Sequence, residues 1–356
     1  MSQRWKQRPP GSNWGDFGPD DQRGRMNWVT REKVLQGVAE VKEGLTFCLS
    51  LPLDYPGGNA LNPRRNPPRI AATLRDSGKS QGRQNFCFPL GDDNPGLTDV
   101  VCDDITLMTL QYSTQWDSFS HIGSRFDADD DGSAEIVFYN GFRAGEDVVP
   151  ARENPAAEPW ARFEGTQAKA LGIEKLAEHG VQGRAVMIDL HHHFGRERHA
   201  VTYDDMMRVL DKDRVAIERG DFVCFYTGFA DVILELRKNP DPKLLHGTCS
   251  GLEGRDEKLL QWITDCGAAC LLADNYAVEL IPTSLISSDP KPRPHAAMPL
   301  HEHCIFKNGI HLGELWYFTE LARWLRAHGR NRFLLTAPPL RLPGAVGSPA
   351  TPVATV

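Results

Sequence analysis

A chain of 356 residues with 40% hydrophobic content carries enough apolar material for a large buried core and is read as globular. Its formal net charge of −7 comes with lysines and arginines scattered along the chain, which gives no electrostatic footprint for nucleic acid or anionic lipid. No apolar stretch reaches the roughly 18 residues that span a bilayer, and the first sixteen residues are polar where a signal peptide needs an aliphatic core, so a cytoplasmic location is expected.

Residues 1–30 are rich in Gly, Pro and Asp, and 55–100 carries repeated Pro-Gly and Asn-Pro turn signals, so both segments are expected to drape over a core. Regularity starts at Ile105–Tyr112, a short β-rich run, and resumes at Glu135–Tyr139. Between them stands Thr114-Gln115-Trp116-Asp117-Ser118-Phe119-Ser120-His121, placed where a strand gives way to a loop or helix. Arg184–Leu190 reads as a buried strand. Thr202 is set to cap a helix running through Leu210, with Asp205 three residues on. Asp221–Phe229 is a strand again, Asp256–Asp265 is amphipathic at helical spacing with Leu259, Leu260 and Ile263 on one face, and Ala268–Ala273 re-enters the sheet. A Ser/Pro-rich loop follows Pro282, then the apolar run Cys304–Leu312, and Thr319–His328 makes the last helix. Alternation of strand and helix implies an α/β core, and the lack of repeats or low-complexity linkers implies one domain over 1–356, with 335–356 as a C-terminal tail.

Several motifs invite chemistry and receive plainer readings. Eight cysteines occur without a CxxC pair and are read as reduced, mostly buried thiols; Cys266 and Cys270 would share one side of a helix but lack a third ligand. His191-His192-His193 cannot turn all three rings to one ion at a strand end. Asp127–Gly132 opens like a calcium loop, yet Phe138 stands where a bidentate Glu is required, so an acidic turn is expected. Gly-x-Ser-x-Gly is absent; its nearest imitation, Gly247–Gly251, centres on Cys249 with His246 close by in sequence. No Gly-rich dinucleotide or phosphate loop is present either.

The strongest cluster is Asp117 and His121 beside an indole, with His301 and Glu314 near a later apolar run. Carboxylate and imidazole are ordinary ligands for zinc or manganese, and a spare His can move the proton that hydrolysis requires. Asn308-Gly309 is a hairpin signal, so His301 and Glu314 are expected on adjacent strands meeting at one rim, and His303 would share the face of His301. Trp116, Phe119 and Tyr139 are candidates for an apolar wall around a flat substrate, with core packing as the competing reading.

These residues resemble the metal-dependent cyclase-like hydrolases that include bacterial kynurenine formamidase and isatin hydrolase. The family's signature His-x-Gly-Thr-His-x-Asp-x-Pro-x-His lies against Gln111–His121: Thr114, Asp117 and His121 match, and both leading His positions are Gln111 and Gln115. The chain looks like a longer branch carrying Thr-Gln-Trp-Asp, and the likeness runs from Asn13-Trp14-Gly15-Asp16 through Tyr139-Asn140-Gly141 and Ala273-Asp274-Asn275 to Leu342–Pro349. The resemblance implies a swivelling β/β/α fold with a mostly parallel central sheet, and a metal-dependent hydrolase of an amide, lactam, formamide or lactone bond in a small ring-bearing molecule. Carried over by position, Asp117, His301 and Glu314 would be metal ligands and His121 the acid/base, with no role yet for Asn275 and Tyr276. Gln111 and Gln115 leave three arrangements open: amide-oxygen ligands favouring manganese, a mononuclear site without them, or a metal-free scaffold that binds small molecules or assembles with partners. A homo-oligomer is implied by the resemblance alone.

Overall fold

The apolar runs that read as strands lie side by side at the centre of the protein. The computed structural model describes residues 4–281 and 295–356. Its main sheet has nine strands, which in chain order are β1 Thr46–Cys48, β2 Gln115–Asp117, β3 Gln182–Asp189, β4 Phe222–Tyr226, β5 Cys270–Ala273, β6 His311–Glu314, β7 Arg332–Thr336, β8 Gly347–Pro349 and β9 Val353–Thr355. Across the sheet they run β1, β9, β7, β3, β4, β5, β6, β2, β8. The stretch following Pro282 lies outside the described residues.

The mostly parallel sheet expected from the resemblance is corrected to a mixed one. β3, β4, β5 and β6 are mutually parallel, while every ladder outside them is antiparallel. Parallel neighbours need a crossover, and helical segments follow β3, β4 and β5. On the flanks β7 and β2 run opposite to these four, β9 and β8 run with them again, and β1 is once more reversed.

Period-2 alternation divides the central strands between two apolar cores. Val223, Phe225, Leu271 and Ala273 belong to one, which also holds Trp5 and Trp14 from the N-terminal segment. Phe222, Cys224, Tyr226, Cys270 and Leu272 belong to the other, together with Trp116 and Trp316. Burial on both faces explains why β4 and β5 are unbroken apolar runs.

Four helices cover these faces: α1 Arg31–Ala39, α2 Tyr203–Lys212, α3 Glu257–Asp265 and α4 Thr319–Ala327. Thr202 and Asp205 form the capping box read from the sequence, and Asp256 caps α3 by accepting from the Lys258 and Leu259 amides. α1 lies so close to β3 that a Cβ on Gly37 would come within 2.7 Å of the Arg184 amide nitrogen. A buried ion cluster fastens this junction: Asp221 accepts from Arg184 Nε at 2.9 Å, Arg184 Nη2 at 2.8 Å and Lys33 Nζ at 3.0 Å.

Two shorter expectations change. Asp104–Leu107 is a strand, but it pairs with Arg69–Ala72 in a separate two-stranded ribbon. The hairpin expected around Asn308-Gly309 does not form: Pro299–His301 is helical and continues as a wide helical turn through Lys307 before β6 begins. Pro299 supplies a preset φ at the helix start, and Leu300 and Cys304, four apart, are both buried.

Candidate active site

β2 is the base of the site. Its alternation sends Gln115 and Asp117 to one face and Trp116 to the other, where the indole donates to the Ala337 carbonyl at 2.8 Å and meets Trp316 edge-on. β6 pairs with β2 so that Glu314 stands opposite Gln115. His301 comes in from its short helix, and one ligand atom each from Asp117, His301 and Glu314 lie within 4.8 Å of one another, all three residues buried. The place is the carboxyl end of the parallel strands, where open α/β sheets gather ligand-binding groups.

His301 is held from both sides. Its Nδ1 lies 2.7 Å from Glu279 Oε1 and its Nε2 3.1 Å from Glu314 Oε1, while Glu279 also accepts from the Leu300 and His301 amides. Burial opposes a charge on this ring, yet the hydrogen bonds to Glu279 and Glu314 outweigh it and push His301 up to about 10. Burial and the neighbouring Asp117 carboxylate push Glu314 up, against the pull of His301 and Arg65. The Gln115 amide nitrogen donates to Glu314 Oε2 at 2.9 Å and lies 3.4 Å from Asp117 Oδ1.

These residues fit a divalent cation. Asp117 Oδ2 is buried without a hydrogen-bond partner, and two carboxylates converge there with one imidazole, a donor set that suits zinc or manganese. Glu279 supplies the carboxylate that orients a ligating imidazole through its second nitrogen. Glu279→Gln is therefore expected to weaken zinc or manganese affinity by about 10- to 100-fold, read by calorimetric titration, with the fold intact by circular dichroism.

His121 stands beside this group, its Nε2 3.9 Å from Asp117 Oδ1. Burial holds its pKa below the usual imidazole value; Asp117 opposes this, and His301 and Arg65 add to it, so the ring is neutral near pH 7. Both His121 and Gln111 line a cavity of about 1090 Å³ that also exposes His301 and Glu314. Its wall includes Tyr112, Ile122, Tyr276 and Leu315, with Arg64, Arg65 and Arg255 among the charged residues.

Trp116, Phe119 and Tyr139, expected as a substrate wall, are instead wholly buried and do not line this cavity. Phe119 stacks on His311 with ring centroids 3.9 Å apart, and His311 Nδ1 donates to the Asp117 carbonyl at 2.9 Å, so this pair steadies β2 from behind. Burial pushes His311 down to about 4, which leaves it neutral. Tyr139 packs against Gly309, where an added Cβ would come within 2.6 Å of its ring.

Asn275 closes the loop that carries Glu279: its side-chain oxygen accepts from the Val278 amide at 2.7 Å and its carbonyl from the Leu315 amide at 2.8 Å. Sequence reading missed Glu279, although an acidic residue inside Ala277-Val278-Glu279-Leu280 is the kind of buried charge that calls for a partner. It also missed Arg65 and His311, for which the local sequence carries no such signal.

The remaining motifs lie apart. His303 bonds Thr264 Oγ1 at 2.9 Å rather than facing the site with His301, because the segment is helical and not extended. His191–His193 fall in a short helix, with His191 turned to the Gly195 carbonyl and His193 to Asp213. Cys266 caps α3 while Cys270 is already in β5, so they share no helix face. Burial pushes Cys249 up to about 12, and His246 is 3.0 Å from the Tyr276 hydroxyl, so neither serves a Cys nucleophile. In the acidic turn Asp127 accepts from the Asp131 and Gly132 amides, and Arg143 neutralises Glu135 at 2.6 Å.

The sequence matches the family described as Cyclase over residues 49–280, well over half of the chain. The chain belongs to the cyclase family. A crystal structure described as a novel cyclase is similar to this cyclase-family protein at 28% identity with a TM-score of 0.70, covering 98% of this chain and 100% of its own. Isatin hydrolase A from Ralstonia solanacearum shares the fold at 14% identity with a TM-score of 0.51, covering 91% and 97%. Isatin hydrolase A from Labrenzia aggregata, bound to benzyl benzoate, does so at 12% identity with a TM-score of 0.51, covering 91% and 97%. Comparison with curated protein sequences gives no match.

Proposed function

We propose that this cyclase-family protein is a metal-dependent hydrolase acting on a C–N bond (amide, lactam or formamide) or a lactone in a small ring-bearing molecule. The observation that carries this reading is the convergence of Asp117, His301 and Glu314 at the base of a cavity that also holds a neutral His121. Asp117, His301 and Glu314 would hold one divalent cation, which when bound lowers the pKa of water and polarises a carbonyl. We assign Gln115 a bridging role instead of a ligand role, since its amide nitrogen, not its oxygen, faces both carboxylates. Gln111 lines the cavity as a polar wall residue.

The chain's own groups then have separate tasks. Glu279 keeps the His301 ring in place from Nδ1. Neutral His121 accepts a proton from the attacking water at Nε2 and returns it to the departing nitrogen or oxygen. Burial of Asp117 and Glu314 keeps bulk water from screening these charges.

Protein purified without chelator is expected to carry close to one equivalent of metal, as a single ligand set implies. With manganese or zinc it should hydrolyse a member of a panel of N-formyl arylamines, isatin-like lactams and unsaturated lactones, lose that activity in EDTA and regain it on metal addition. Substoichiometric metal with no turnover after zinc or manganese would instead assign a non-catalytic, metal-depleted scaffold. We also propose a homo-oligomer, supported by Ile105 and Leu107, which share one face of the two-stranded ribbon and are 56% and 41% exposed. No helix among the described residues is long and apolar enough to cross a membrane. A cytoplasmic location is proposed from the cysteines, of which Cys224, Cys249, Cys270 and Cys304 are buried free thiols.

A further inference from the structure

Arg65 lines the cavity with a half-buried side chain that makes no hydrogen bond among the described residues. It lies in Asn62-Pro63-Arg64-Arg65-Asn66-Pro67-Pro68, where three prolines restrict the backbone, the Arg65 amide donates to the Asn62 carbonyl at 3.0 Å and the Asn66 amide to Thr109 Oγ1 at 3.0 Å. The loop therefore presents the side chain from a stiff base. Its side chain is 21% exposed, and among the described residues its one polar side-chain contact is Nη1 to Glu314 Oε2 at 3.9 Å, beyond hydrogen-bond range. A guanidinium offers five N–H donors in a planar fork, and those of Arg65 face the cavity and are open to a ligand there.

The lining of the cavity favours an anion. Glu314 is the one acidic residue among the described residues lining the cavity, against Arg64, Arg65 and Arg255, in a chain whose net charge is −7. Arg255 is engaged with the Ala296 carbonyl at 3.1 Å and Arg64 is exposed, whereas Arg65 comes within 3.9 Å of Glu314 with its donors free of hydrogen bonds among the described residues. Leu61, Ile122, Met298 and Leu315 supply apolar wall for a ring.

We propose that Arg65 is a substrate-anchoring residue and that the site takes a ring-bearing molecule with a carboxylate, held by the planar fork beside the carbonyl to be cleaved. A carboxylate suits the fork because two parallel N–H···O bonds match its geometry. This rests on the hydrolase reading and narrows it to anionic substrates.

The test compares benzoate with its neutral isostere benzamide by calorimetry on manganese-loaded and metal-free protein, in wild type, Arg65→Gln and Arg65→Lys. Wild type should prefer benzoate by about 10- to 100-fold, the range of a charge-assisted hydrogen-bond pair. Arg65→Gln should lose the preference while manganese affinity stays within about threefold, and Arg65→Lys, which keeps the charge but not the fork, should retain a small part of it. A preference that survives in Arg65→Gln, or is absent in wild type, overturns the proposal. Turnover of N-formylanthranilate against N-formylaniline separates a substrate carboxylate from a product one. An advantage for the first that disappears in Arg65→Gln supports the proposal, whereas equal turnover with benzoate inhibition of wild type alone assigns Arg65 to the product and overturns it. Failure to bind manganese would remove the metal reading, yet benzoate binding to metal-free protein would still decide the role of Arg65.

Discussion

Asp117→Ala and His301→Ala are each expected to abolish manganese or zinc binding and to lower turnover by on the order of a thousandfold, whereas His121→Ala keeps the metal and loses activity. The first pair removes ligand atoms from a group that lies within 4.8 Å, where no other carboxylate or imidazole in the set can substitute. A bound cation contributes several kcal/mol of transition-state stabilisation, and each ~1.4 kcal/mol is a factor of ten in rate. His121 sits 3.9 Å from Asp117, but among the described residues its ring donates no orienting hydrogen bond comparable to that from His301 to Glu279. Its loss should therefore cost about 10²- to 10⁴-fold in turnover, the range of a general base. Metal content measured on the purified variants beside their turnover checks both statements. Loss of metal from His121→Ala would make His121 a ligand, and retention of metal by Asp117→Ala would remove the site.

Asp221→Ala should destabilise the protein by about 3–5 kcal/mol, because it strands two buried cations. Asp221 is fully buried, and Lys33 and Arg184 retain only 7% and 5% of their side-chain exposure. The three residues come from α1, β3 and the entrance to β4, so the cluster fixes a helix on the sheet as well as balancing charge. Glu218 also reaches Arg184 at 2.8 Å and Lys33 at 3.5 Å, but it is 47% exposed, and its attraction is correspondingly screened. Urea unfolding followed by circular dichroism should show a lower midpoint with an unchanged slope. A loss under about 1 kcal/mol would mean that Glu218 takes over the role of Asp221.

The parts of the fold that could be read along the chain are those written locally. β3, β4 and β5 are apolar runs because they are buried on both faces, and α2 and α3 announce themselves through caps and a 3.6-residue period. The same alternation explains a correction at the site. Gln115 and Asp117 must share one side of β2, so Trp116 has to leave by the other, into the core with Trp316. Asn308-Gly309 pointed to a hairpin, but a turn signal does not specify what precedes it, and Pro299 opens a helix there. The open sheet edges were equally hidden: whether a three-residue strand such as β8 pairs with β2 or elsewhere depends on where its loop delivers it.

The chemistry on offer was written in residue types: Asp117, His121, His301 and Glu314 stand out as candidate ligands and a candidate base by their side chains and by their match to the family's pattern. Which way each of them points, and which group stands behind it, follows from how the sheet packs. Glu279 behind His301, His311 beneath Asp117 and Arg65 over Glu314 arise from segments up to 249 residues apart in number, brought together by burial. Local propensity cannot encode such contacts, because a buried charge selects its partner by distance in space, and that distance exists only once the sheet has formed.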